Sequence, residues 1–337
     1  MEKNMITIAH GSGGTATSKL IEQIFKKHFS NDILSQGDDS ARLNLGDARN
    51  LVFTTDSFVV TPIFFNGGNI GKLAVCGTVN DLATSGAKPL YLSCGFIIEE
   101  GFGMEELERI VEAMSATASE CGVKIVTGDT KVVQKGAADK IFINTSGIGI
   151  VPDGLNISGR NAMVGDKIIV SGTIGDHGSS IFLERESIGF NADIKSDCAP
   201  LSGMVQDILS VVPDVHVLRD PTRGGVATTL NEIALQSNVS ILIREDSLPV
   251  KREVQGVCEL LGMDPLYMAN EGKMLCFVSE DKADKVLEAL HKNKYGKDAR
   301  IIGEVTGAGE PKVLLKALSG GNRIISVLAG DQLPRIC

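Results

Sequence analysis

Apolar and polar positions alternate between two periods along the first half of the chain. Leu51-Val52-Phe53-Thr54-Thr55-Asp56 and Phe58-Val59-Val60 are short apolar runs that predict buried strand. Residues 70–85 read as a helix stopped by Gly86, and Leu90 to Ile98 read as another strand. The spacing then changes. Met104, Leu107, Ile110, Val111, Met114 and Ala118 fall at i, i+3, i+4 and i+7, which predicts an amphipathic helix ended by Gly122. Strands are expected at 123–127 and 141–151. Strands alternating with helices argue a layered sheet of α/β or α+β type with helices on one face.

Pro152-Asp153-Gly154 is the best boundary, so a first domain is expected over 1–153. A second domain over 154–328 opens with the strand Lys167-Ile168-Ile169-Val170, closed by Gly172. Helices are expected near 178–187, 201–210, 225–236 and 283–290, with strands near 239–244, 274–279, 300–305 and 324–328. Residues 329–337 are expected to form a mobile tail.

Composition narrows the class. The 337 residues carry a net charge of −9, which argues against nucleic-acid binding through a general basic face. No apolar run approaches the ~18 residues of a membrane span, and Met1 to Met5 shows no signal-peptide core. The seven cysteines are odd in number and scattered, without CxxC or zinc-finger spacing, a pattern expected of a reduced, cytoplasmic protein. One of them is the last residue. Chance alone places a Cys there roughly 2% of the time at this composition, and the position is wrong for prenylation. A thiol at the end of a tail can be loaded in one place and presented in another.

Candidate chemistry lies in short polar segments. His10-Gly11-Ser12-Gly13-Gly14-Thr15 can aim successive N–H groups at an anion, or be a plain turn. Gly67-Gly68-Asn69-Ile70-Gly71-Lys72-Leu73 has neither the spacing nor the Ser/Thr of a P-loop, and no GxGxxG follows a strand. Four acidic segments are read as strand ends or turns: those of Asp38-Asp39, Asp56, Asp81 and Asp129. Any one could be a cap; four together could hold Mg²⁺ with the phosphates of ATP. In the second domain, Arg219-Asp220-Pro221-Thr222-Arg223-Gly224-Gly225 combines an acid with two arginines suited to phosphate. Asn270-Glu271-Gly272-Lys273 places an acid in a tight turn, as a base or as a solvated turn.

Taken in order, the segments HGSGG at 10–14, GDDSA at 37–41, TTDSFVVTP at 54–62, GTVNDLA at 77–83, GDTKVV at 128–133, RDPTRGG at 219–225, NEGK at 270–273 and PRIC at 334–337 resemble the HypE family of hydrogenase maturation proteins. These are carbamoyl dehydratases of the aminoimidazole ribonucleotide synthetase-like superfamily, and the resemblance covers effectively the whole chain. It implies a two-domain α+β fold whose first sheet pairs with that of a second subunit in a barrel-like homodimer core. It implies that a separate carbamoyltransferase loads a carbamoyl group onto Cys337. ATP then dehydrates that group to a thiocyanate, and the cyanide passes to the iron of a [NiFe]-hydrogenase on iron-carrying scaffold proteins.

On the same resemblance, Asp39, Asp56, Asp81 and Asp220 would hold Mg²⁺. His10, Gly13, Gly14, Asn80, Asp129, Thr130, Arg219 and Arg223 would serve ATP. Glu271 would be the base, and Lys131 would orient the carbamate. Other readings are a selenophosphate synthetase, purine cyclo-ligase or thiamine-phosphate kinase of the same superfamily, or a non-catalytic metallochaperone scaffold docking metal at Cys337. None of the three enzymes explains a terminal cysteine.

Overall fold

The computed structural model describes residues 14–20, 22, 36, 38, 41–43, 50–186, 193–328 and 335–337. His10, Gly13 and Asp39 lie outside these residues, as do 329–334 of the tail.

After a short helix α1 (Thr15–Leu20), the first domain builds a five-stranded sheet from β1 (Ala41–Leu43), β2 (Leu51–Phe58), β5 (Lys88–Glu99), β6 (Lys124–Val133) and β7 (Ile141–Ile150), in the order β1-β2-β7-β5-β6. β3 (Phe64–Phe65) and β4 (Gly68–Asn69) make a small separate hairpin. Only β5–β6 is parallel. Two helices cover one face: α2 (Ile70–Thr84) and α3 (Met104–Cys121). Strand alternation sends Val52, Thr54, Asp56 and Phe58 toward α2 and leaves Phe53, Thr55 and Ser57 on the other side. Asn69 caps α2, its Oδ1 accepting from the N–H groups of Gly71 and Lys72.

α2 is buried on nearly every side, because the second domain packs on the flank the sheet leaves open. Asn80 joins the two. Its Oδ1 accepts from Leu201 N–H at 2.8 Å, and its Nδ2 donates to the Ala199 carbonyl at 3.1 Å.

The second domain is a seven-stranded sheet flanked on both faces. Its elements are β8 (Lys167–Val170), α4 (Asp176–Glu186), α5 (Ser202–Val211), β9 (Val217–Arg219), α6 (Gly225–Ser237), β10 (Val239–Arg244), α7 (Arg252–Leu261), β11 (Leu275–Val278), α8 (Glu280–Lys292), β12 (Arg300–Ala308), β13 (Lys312–Lys316) and β14 (Asn322–Ile325). The strand order is β14-β13-β10-β12-β8-β11-β9. Ile168, Leu275 and Phe277 face α6, whereas Ile169, Cys276 and Val278 face α5 and α8. No helix among the described residues is long and apolar enough to cross a membrane.

Three acidic segments sit differently from the expected strand ends and turns. Asp56 lies inside β2, Asp81 inside α2, and Asp129 in the middle of β6. β6 runs on through Gly128-Asp129-Thr130 because β5 offers it a parallel partner out to Glu99, which no local pattern reveals.

Candidate active site

A cavity of about 310 Å³ opens where the two domains meet. The first domain supplies Thr54, Thr55, Asp56, Gly77 and Asp81; the second supplies Arg219, Asp220, Thr222, Arg223, Thr229, Glu232 and Glu271. Cys337 closes the set.

The first wall is built on regular elements. Asp56 faces α2, where a side chain at Gly77 would press on Phe58 and approach the Asp56 carboxylate. Ser57 N–H donates to Asp56 Oδ1 at 2.8 Å, and Thr54 Oγ1–H donates to Asp81 Oδ2 at 2.9 Å. The second wall is made of turns, and one buried side chain ties them together. Asn270 Oδ1 accepts from Gly175 N–H, while its Nδ2 donates to the carbonyls of Pro221 and Met268. The acidic turn, the RDPTRGG loop and the start of α4 are thus held as one piece. Gly272 is dictated by close approach: a Cβ there would lie 1.8 Å from the Asp197 carbonyl oxygen.

The charges inside are strongly perturbed. Burial pushes the Glu271 carboxyl well above the usual range, reinforced by Cys198, Asp56, Asp220 and Asp197. Its Oε1 is buried with no hydrogen-bond partner among the described residues. Burial also raises Asp56, although Arg223 pulls it down. Arg223 Nε–H points at Cys337 Sγ from 2.9 Å, and an arginine stays charged at any pH of interest. Burial nevertheless pushes the Cys337 thiol up to about 12, so the docked sulfur is a thiol at neutral pH.

The tail tip reaches this position by backbone pairing. Val59 N–H donates to a main-chain oxygen of Cys337 at 3.0 Å and Thr61 N–H to the Arg335 carbonyl at 3.2 Å, so residues 335–337 run antiparallel to the segment after β2. Arg185 donates to the Thr61 and Arg335 carbonyls, and Arg335 donates to that of Val59. Ile336 and Cys337 are both buried.

Seven of the expected site residues therefore line one cavity: Asp56, Asp81, Arg219, Asp220, Arg223, Glu271 and Cys337. Gly14 lies at the start of α1 instead, where its carbonyl accepts from Ser18 and the neighbouring Thr15 N–H donates to Leu328. Asn80 spends its amide on the domain junction. Asp129, Thr130 and Lys131 are on edge strand β6, three strand spacings from β2, or about 14 Å. There Lys131 Nζ pairs with Asp129 at 2.7 Å in solvent. Cys94 and Ile98 face the core, so Asp129 and Lys131 belong to the opposite face.

Sequence reasoning missed Glu232, which pairs with Arg219 at 2.8 Å, and the tail contacts of Arg185 and His177. Glu232 left a signal, as the one charged residue in the helix Gly225–Ser237. Among the described residues no three His, Cys, Asp or Glu side chains converge closely enough to hold a metal ion by themselves. The cavity's donors are nonetheless hard carboxylate oxygens, and Mg²⁺ is typically bound by one or two carboxylates together with substrate phosphates. The donor set fits that use.

This two-domain α+β chain, with an acid-and-arginine cleft between its halves, belongs to the AIR synthase related proteins. The models of that family match this chain over residues 37–151 (N-terminal domain) and 163–316 (C-terminal domain). Within it, the chain belongs to the HypE carbamoyl dehydratase family. It is 49% identical over 337 residues to carbamoyl dehydratase HypE of Cupriavidus necator, an alignment covering 100% of this chain and 96% of that protein. A HypE chain from a crystal structure of a HypE–HypF complex superposes with TM-score 0.87 at 50% identity, covering 92% of this chain and 99% of that one. A HypE crystallised in complex with ATP gives 0.83 at 49% identity, covering 99% and 100%.

Proposed function

We propose that this protein dehydrates a carbamoyl group carried on its own Cys337 sulfur to a thiocyanate, using ATP, as a step in supplying a cyanide ligand to a [NiFe]-hydrogenase. One observation carries the reading: Cys337 Sγ sits in the cleft against Arg223, in a cavity also lined by Glu271 and three aspartates. Family membership and the ATP complex of a similar HypE support it.

The residues divide the work. An amide oxygen leaves poorly, so it must first accept the γ-phosphoryl group of ATP. Arg223 and Arg219 would neutralise the phosphates, forking onto their oxygens. Asp56, Asp81 and Asp220 would hold Mg²⁺, which supplies charge neutralisation for the transfer. The carbon–oxygen bond then breaks with phosphate leaving, and the nitrogen gives up both protons, leaving S–C≡N, ADP and phosphate. Glu271 would accept a proton from nitrogen; a carboxyl whose hold on a proton is strengthened by burial, with a buried oxygen lacking a hydrogen-bond partner among the described residues, suits that task. The docked thiol is protonated and enclosed, which favours loading while the tail is out of the cleft, by a separate carbamoyltransferase. A similar HypE crystallised with HypF is consistent with such a partner.

Lys131, Asp129 and Thr130 can serve this cavity only from a second copy of the chain. The bare face of the first sheet carries an exposed apolar row, Phe53–Ile148–Tyr91, across three strands, a surface that favours pairing into a homodimer. The test is intact-protein mass after incubation with carbamoyltransferase, carbamoyl donor and ATP. A carbamoyl adduct on Cys337 that loses one water only when ATP is present is expected. An adduct on any internal cysteine would overturn the assignment.

A further inference from the structure

His177 has no place in the chemistry above, yet its ring is wholly buried and touches the tail. It is the second residue of α4, edge-on to Phe65 with ring centroids 5.5 Å apart. Nε2 lies 2.7 Å from the Ile336 carbonyl oxygen, and Nδ1 lies 2.7 Å from Ser196 Oγ. A carbonyl can only accept, so Nε2 carries the proton. Burial keeps the ring neutral, which leaves Nδ1 to accept the Ser196 hydroxyl proton. Ser196 Oγ in turn accepts from Cys198 N–H at 3.1 Å.

The next links run to the base. Asp197, between Ser196 and Cys198, accepts from Glu271 N–H at 3.1 Å and pairs with Lys273 at 3.2 Å. Ala199 N–H donates to the Glu271 carbonyl. Hydrogen bonds at both ends of the segment 196–199 thus join the backbone of the residue before Cys337 to both sides of the Glu271 backbone.

We propose that His177 is a positioning residue for the dehydration: Nε2–H grips the Ile336 carbonyl to fix Cys337 Sγ against Arg223, and Nδ1 ties that grip through Ser196 to the loop that braces Glu271. The inference rests on the function proposed above. Its consequence is that docking the tail and setting the base are one event. Arg185 and Arg335 add further grip on the backbone, Arg185 at the Arg335 carbonyl and Arg335 at that of Val59.

The experiment compares His177→Ala, His177→Gln and Ser196→Ala with the parent chain. Labelling of Cys337 by iodoacetamide, read by peptide mass, needs neither ATP nor donor. His177→Ala should label at least about tenfold faster, the scale of one lost hydrogen bond. His177→Gln should recover most of the protection, since its amide N–H can stand where Nε2–H stood. In single turnover after loading, His177→Ala should take up the carbamoyl group fully but convert it about 10²-fold slower, the cost of a misplaced reacting group. Ser196→Ala keeps the grip and loses the link, so its tail should stay protected while conversion slows. Labelling of folded His177→Ala at the parent rate would overturn the proposal. If His177→Ala does not melt cooperatively, Ser196→Ala decides: parental conversion would overturn it, slow conversion with a protected tail would support it. Failure of the parent chain to be carbamoylated or converted would instead remove the proposed function, with the labelling arm still deciding the grip.

Discussion

The two sheets of this molecule are finished to different degrees. The seven-stranded sheet has helices on both faces, and β11, between β8 and the edge strand β9, is buried at every position. The five-stranded sheet is covered by α2 and α3 on one face only. Its edge strand β6 is exposed along nearly its whole length, although it carries Ile125, Val126 and Val132. The second domain completes itself; the first leaves apolar surface and an open edge that natural proteins ordinarily cover. Active-site residues follow the same division. Those on the covered side meet in one cavity, whereas Asp129 and Lys131 stand on the bare face and Thr130 on the far edge strand.

The sharpest way to break this comparison is to change the covered side alone. Glu271→Gln should load carbamoyl on Cys337 normally and convert it about 10²–10⁴-fold slower, the usual cost of losing a general base. Single-turnover mass measurements read both steps. If Lys131→Ala stalls conversion while Glu271→Gln does not, the base lies on the bare face and the division fails.

Changing the bare face alone should do the opposite. Ile148→Asp puts a charge in the middle of the Phe53–Ile148–Tyr91 row and should weaken self-association at least about tenfold, since a buried unpaired charge costs several kcal/mol. Light scattering against concentration measures it. A parent chain that is monomeric at micromolar concentration would end the homodimer reading.

The junction between the halves comes next in size. Asn80→Ala removes both bonds to residues 199 and 201 and leaves their backbone groups buried, which should cost about 1–3 kcal/mol in denaturant unfolding. The smallest effect is one of pH. The Glu271 pKa is raised by folding, so the folded chain holds that proton more tightly than the unfolded one. Its stabilising contribution is complete below the ordinary carboxyl value of 4.5 and is lost as pH rises through the raised folded value. Glu271→Gln should therefore melt higher than the parent at pH 8, with the difference vanishing toward pH 4.

Much of this was legible beforehand because it was local. The stripe from Met104 to Ala118 and the Gly122 stop gave α3, and the apolar run at 239–244 gave β10 with its observed ends. Arg219, Asp220, Arg223 and Glu271 announced themselves by polar residues set in apolar surroundings, and they do meet. What was not legible depends on contacts distant in sequence. Three-residue β9 exists only because β11 pairs with it, and β13 because β10 does. α7 was overlooked because Gly256 sits inside its apolar stripe. Asn80 was assigned to ATP on the resemblance alone, and its packing role cannot be seen until residues 199–201 arrive from another domain. His177 gave no signal at all, since a single histidine shows its purpose only through what it touches.

The pairing of residues 335–337 with residues 59–61 changes what kinetics can mean for this protein. A group carried on Cys337 is tethered to the site that would transform it, and tethering turns an encounter in solution into an intramolecular event. Dilution should then leave the first-order rate of conversion unchanged so long as the assembly holds. A small S-carbamoyl thiol added from solution would face a competitor that never diffuses away. Because most of the grip falls on backbone carbonyls rather than side chains, it constrains the path of the chain into the cleft more than the residues along it.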